Sequence, residues 1–194
     1  MVGKLKILIA EDLSTDLELI LRELKRNHLN FTHQTADNES DFTNTLKSFN
    51  PDIVLTDYMM PDFTGMQALK IVKEYNPLIP VIVVTGSLNE ETAVECMKAG
   101  ANDYVIKEHL KRLVPAIEHA LKNYTIQKEK IEAQHKLAES EKMFRFIAEN
   151  ASDLIYVYRF KPKFGFEYVS PSATAISGYT PEEHYADPQL GFKI

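Results

Sequence analysis

Four short apolar runs recur along the chain: Leu5 to Ala10, Ile53 to Thr56, Val81 to Val84 and Tyr104 to Ile106. They are rich in Val and Ile and do not alternate with polar residues. Strands read this way when helices cover both faces of their sheet. A weaker run, Phe31 to Thr35, fits an edge strand. Helical patterns lie between the runs. Leu17, Ile20, Leu21 and Leu24 share one face after Ser14, a candidate N-cap. Phe42, Leu46 and Phe49 mark a second helix, ended by Asn50-Pro51, and a third carrying Met66, Leu69, Val72 and Lys73 starts after Gly65. Thr92 to Ala99 predict a fourth, stopped by Gly100, and a fifth begins near His109. Repeated βα units of this kind predict an α/β fold, a doubly wound parallel sheet with right-handed crossovers.

The fifth helix runs on beyond the length such a unit needs. Leu110, Val114, Ile117, Leu121 and Tyr124 step by four and three, and the register continues through Lys128, Ile131, His135 and Ala138. That spacing predicts a seam for a parallel coiled coil, and hence a homodimer through this helix. The helix should end at Glu149-Asn150. Beyond it, Leu154 to Phe160 and Phe166 to Val169 predict two strands joined by a turn from Lys161 to Gly165, with short helices opened by Ser170-Pro171 and Thr180-Pro181.

Composition removes several function classes. The net charge of −6 is a poor match for sequence-independent nucleic-acid binding, so no direct nucleic-acid contact is expected. One cysteine, Cys96, forbids an intramolecular disulfide. No apolar stretch approaches the length of a membrane span, and the N-terminus lacks the pattern of a signal peptide, so the expected location is cytoplasmic. No Gly-rich phosphate loop follows the first strand; Glu11-Asp12 stand there instead.

In a doubly wound sheet, ligands bind outside the carboxyl ends of the strands. The first run ends in Glu11-Asp12, the third strand in Asp57 and the fourth in Thr85-Gly86, and Lys107 follows the fifth. Taken singly, these could be loop acids, a turn residue, a strand-end hydroxyl and a surface lysine. Together they bring three acids, a hydroxyl and a cation to one edge. Two like charges 4 Å apart repel by roughly 4 kcal/mol at an effective dielectric of 20. A divalent cation relieves that repulsion, and Mg²⁺ favours carboxylate, water and phosphate oxygens. The set therefore suits metal-assisted phosphoryl transfer with an aspartate as nucleophile.

The segments LKILIAED, DIVLTDYMMPDFTGMQAL, PVIVVTG and AGANDYVIK resemble the receiver domains of response regulators in two-component signalling, across residues 4 to 122. The resemblance implies a flavodoxin-like sheet of order 2-1-3-4-5. It implies that Glu11, Asp12, Asp57 and the backbone carbonyl of Met59 hold Mg²⁺. Asp57 would accept a phosphoryl group from a histidine kinase or phosphotransfer protein. Thr85 and Lys107 would bind phosphoryl oxygens, Gly86 would leave room for the phosphate, and Tyr104 would act as an aromatic switch answering Thr85. The resemblance points to a switch whose own chemistry is phosphorylation and autodephosphorylation at Asp57, and leaves open whether the parent protein is an enzyme. One position departs from the family: Glu108 stands where receivers usually carry proline after a cis bond. Because a cis bond to a non-proline residue costs about 2.5–4 kcal/mol, a trans bond and an altered loop are expected there.

The C-terminal stretch, EKMFRFIAENASDLIYVYRF followed by FEYVSPSATAISGYTPEE, is similar to the first half of a PAS sensory domain. The expected organisation is a receiver over residues 1–122, a helical coiled-coil linker over 123–142 and a truncated PAS-like segment over 143–194. The alternative is that the receiver belongs to a hybrid histidine kinase whose catalytic core lies beyond residue 194. His135 does not sit in the flanking pattern of a phosphoacceptor histidine and is read as a solvated or seam residue.

Overall fold

The structure is a computed structural model that describes residues 4–86, 90–162 and 164–190. The chain divides into two compact units, Met1–Lys130 and Ile131–Ile194. Among the described residues, no helix is long and apolar enough to cross a membrane.

In the first unit the apolar runs form strands β1 (Leu5–Ala10), β2 (Phe31–Ala36), β3 (Ile53–Thr56), β4 (Val81–Thr85) and β5 (Asp103–Ile106), all parallel, in the order β2-β1-β3-β4-β5. This is the flavodoxin-like order that the resemblance implied, with β2 at an edge as its weaker apolar pattern implied. Successive side chains of the inner strands point to opposite faces, and each face has its own core. Leu8, Ala10, Val54, Val81 and Val83 pack with Phe42, Leu46 and Leu69 on one side. Ile7, Ile9, Ile53, Leu55, Ile82 and Val84 pack with Ile20, Leu24 and Ile117 on the other. Two covered faces are why these runs do not alternate with polar residues.

The helices are α1 (Ser14–Arg26), α2 (Glu39–Phe49), α3 (Gly65–Tyr75), α4 (Glu90–Lys98) and α5 (Leu113–Asn150). Ser14 is not the N-cap of α1. It is the first helical residue, after Leu13, and no side chain caps this end. Thr64 caps α3 instead, in a capping box with Gln67. Asn50 ends α2 in the left-handed conformation. At the amino edge of the sheet, the Lys73 ammonium donates to the carbonyls of Pro77 (3.3 Å) and Ile79 (2.8 Å).

After β5 the chain takes a 3₁₀ segment, Lys107–Arg112, kinked at His109 (φ −122°, ψ 38°), before α5 begins. The Lys107–Glu108 bond is trans, as the absence of proline predicts; the described cis bond is Lys161–Pro162. The expected coiled-coil seam is corrected over its first half. Val114 and Ile117 are buried in the core against β1 and β3, with Leu110 and Leu121 packed beside them. Their spacing serves the chain's own sheet. From Tyr124 onward the seam positions are partly or fully exposed: Ile131 keeps half its surface in solvent, and His135 is exposed beside Glu139.

In the second unit, β6 (Tyr156–Arg159) and β7 (Gly165–Val169) form an antiparallel hairpin with an irregularity between Val157 and Tyr158. Two short helices follow, α6 (Ala173–Ser177) and α7 (Pro181–Ala186), the latter held by a Thr180–Glu183 capping box. Val169, Ala173, His184 and Leu190 are buried, so the unit has a small core, while Tyr156, Phe160 and Phe164 stay exposed. Residue 163 of the expected turn and residues 191–194 of the PAS-like stretch lie outside the described residues.

Candidate functional site

The parallel register sets the site. Ala10 lies opposite Thr56, so the residues that follow, Glu11 and Asp57, leave adjacent strand ends side by side. The Asp57 amide donates to the Ala10 carbonyl at 2.8 Å, which continues the ladder by one bond and fixes the acid at the sheet edge. The Thr56 hydroxyl donates to the Asp57 carbonyl at 2.9 Å. Glu11, Asp12 and Asp57 each offer a carboxylate oxygen within 4.8 Å of the others.

Lys107 arrives from the end of β5. Its ammonium meets Asp16 at 2.6 Å, Asp57 at 2.7 Å and Glu11 at 2.8 Å. The lysine side chain is 11% exposed, that of Glu11 0% and that of Asp57 7%. Burial pulls the Lys107 pKa down, but hydrogen bonds to Asp16, Asp57 and Glu11 more than offset it, and the ammonium is held above its ordinary value. For Glu11 burial dominates and raises the carboxyl, against the opposing pull of Lys107. The second oxygen of Asp57, Oδ1, accepts from the Met59 amide at 3.2 Å. Asp12 Oδ1 is buried without a hydrogen-bond partner among the described residues. A buried bare carboxylate oxygen beside two further acids is a donor set suited to a hard divalent cation.

The other predicted residues lie along the same edge. Thr85 is buried at the end of β4, opposite Ile106. Gly86 follows it, and an added Cβ there would meet nothing within 4 Å among the described residues. Tyr104 is half-buried and packs beside the core that contains Val83. Met59 is largely exposed.

Two residues of the site carry no signal in the sequence. Asp16, in the first turn of α1, makes the shortest of the three contacts to Lys107. As one acid in a helix's first turn it belongs to no motif. Gly65 reads from the sequence only as a helix start. A Cβ on it would stand 2.3 Å from the Asp57 carbonyl oxygen, so α3 can begin against the loop after β3 only with glycine here.

Residues 7–118 match the family described as the response regulator receiver domain. The chain belongs to that family. Receiver domains of this family act in two-component phosphorelay signalling, where their partners are histidine kinases or phosphotransfer proteins. Relatives include the DNA-binding transcriptional regulator NtrC of Proteus hauseri, 35% identical over 100 residues covering 51% of this chain and 21% of that protein. Another is the regulatory protein AtoC of Escherichia coli (strain K12), 36% identical over 100 residues covering 51% of this chain and 22% of the other. The matched part thus spans about a fifth of each of these relatives. A response regulator receiver domain protein from Clostridium thermocellum, solved by crystallography, superposes with a TM-score of 0.56 at 30% identity, covering 63% of this chain and 98% of that one. The NtrC relative is named as DNA-binding, so the expectation of no nucleic-acid contact gains no support from these comparisons.

Proposed function

We propose that this chain is a phosphoacceptor switch in which Asp57 takes a phosphoryl group from a phosphohistidine on a kinase or phosphotransfer protein. The observation that carries this reading is the meeting of Asp57 with Lys107 at 2.7 Å inside a cluster of three acids at the carboxyl edge of the sheet. A carboxylate oxygen of Asp57 attacks phosphorus. The O–P bond forms as the P–N bond to the donor imidazole breaks, and the electron pair leaves with that nitrogen. Glu11, Asp12, Asp57 and the Met59 carbonyl would hold Mg²⁺, which when bound supplies positive charge to the phosphoryl oxygens. Lys107 gives up its contact with Asp57 and binds one phosphoryl oxygen. The Thr85 hydroxyl binds another, and Gly86, which has no side chain, leaves room for the group. Tyr104, half-buried beside the β4 core, turns further inward as Thr85 moves, which makes the acceptor edge a two-state element.

The organisation that fits this reading is a receiver over residues 1–122, a helical linker over 123–142 and a PAS-like half-domain over 143–194. The hairpin, the two short helices and the exposed aromatic side chains support the last assignment. The exposed seam residues after Tyr124 support self-association through the helix.

The deciding experiment supplies acetyl phosphate and Mg²⁺ to the whole chain and weighs the product by mass spectrometry. One acid-stable, base-labile phosphoryl group should appear, and none in Asp57→Asn. Equal labelling of the variant would overturn the assignment.

A further inference from the structure

We propose that Asp16 is a positioning residue for Lys107, the tether that keeps the ammonium aimed at the acceptor edge when its other two partners are taken. The inference rests on the reading of Asp57 as acceptor. An ammonium has three donors, and here they meet three carboxylates, Asp16, Asp57 and Glu11, at 2.6, 2.7 and 2.8 Å. Two of those acids have a second claim on them. Glu11 and Asp57 belong, with Asp12, to the cluster whose oxygens lie within 4.8 Å of one another, and Asp16 does not. A cation on that cluster and a phosphoryl group on Asp57 would draw Glu11 and Asp57 away from the lysine. Asp16 alone of the three stays available to it. The backbone of Asp16 is itself held in place, since its amide donates to the Leu13 carbonyl at 3.1 Å as α1 begins. Lysine is a point charge on a flexible four-carbon stem, and ordering that stem during transfer is an entropic cost. A standing contact at 2.6 Å removes much of it beforehand.

The test measures the rate of phosphoryl incorporation from acetyl phosphate into the whole chain at saturating Mg²⁺. Asp16→Ala should be slower by about tenfold, equivalent to ~1.4 kcal/mol. Asp16→Glu, which returns a carboxylate on a longer arm, should recover part of the rate. In a Lys107→Ala background the same Asp16→Ala change should alter the rate by less than about twofold, because the residue acts through the lysine. A second readout needs no phosphodonor: with Mg²⁺ drawing Glu11 and Asp57 away, the Lys107 ammonium, held by Asp16, should still give an NMR signal, and that signal should be lost in Asp16→Ala. An unchanged rate in Asp16→Ala, an equal slowing in both backgrounds, or a persistent ammonium signal would each overturn the inference while leaving Asp57 as acceptor. If the wild-type chain incorporated no phosphoryl group, the underlying reading would fall, and this one with it.

Discussion

Replacing Lys107 by Met removes one charge and keeps most of the apolar stem. In the metal-free protein that charge stands against three carboxylates, two of them almost wholly buried: Glu11 at 0% and Asp57 at 7% side-chain exposure. Removing one partner of a buried ion pair costs about 3–5 kcal/mol, because the other charge is left uncompensated. Asp16 is 23% exposed and regains water, which argues for the lower end, about 3 kcal/mol. The receiver transition should fall by about 10 °C in EDTA. The fold is otherwise untouched, so a cation in the acidic cluster should restore what the lysine supplied. At a hundredfold excess over its dissociation constant a ligand adds about 2.7 kcal/mol. Lys107→Met should therefore gain more from Mg²⁺ than the wild type does, since no ammonium competes for Glu11 and Asp57. Calorimetry of both proteins, with EDTA and with Mg²⁺, reads this directly. A deficit of the same size in both conditions would show that a cation in the acidic cluster does not stand in for the ammonium, and would refute the electrostatic account of the site.

Gly65→Ala should destabilise the receiver by about 1–3 kcal/mol and slow phosphorylation as well, because the new methyl meets a backbone oxygen that cannot swing aside; a wild-type melting curve would contradict the close approach. Cys96 is fully buried and its thiol pKa is raised by that burial and by Glu95; iodoacetamide should label it only when the receiver opens, and labelling of the folded protein as fast as a free thiol would count against its place in the core. Thr180→Ala should cost the second unit about 1 kcal/mol through loss of the α7 capping box. Hydrogen exchange should quicken at residues 181–186 and not in β1 or β3, and faster exchange in both units would mean that they unfold together.

Much of the receiver was legible because its runs are buried on both faces. Ile7, Ile9, Leu8 and Ala10 belong to two different cores, which forces an unbroken apolar stretch. The acids were legible because strand ends mark them. What stayed hidden has physical causes. Leu110, Val114, Ile117 and Leu121 have the same spacing whether they face a partner helix or their own sheet, and the second proved correct. The cap of α1 was misplaced because Ser14 has the right chemistry but helical geometry. Asp16 meets Lys107 across 91 residues of sequence, and no local pattern reports a contact of that range.

That separation has a consequence for the chain as it is made. Glu11 and Asp57 become neighbours only when β1 and β3 pair, and Lys107 reaches them only after β4 and β5 have joined the sheet. A nascent chain emerging from the ribosome carries Asp57 for 50 residues of synthesis before Lys107 exists. Through that interval the acids lack the ammonium that joins them in the folded chain, and on the proposed reading nothing aims a phosphoryl donor at Asp57. On the proposed reading, competence to accept a phosphoryl group arrives with the last strand, and half-made or misfolded copies stay silent to a phosphodonor.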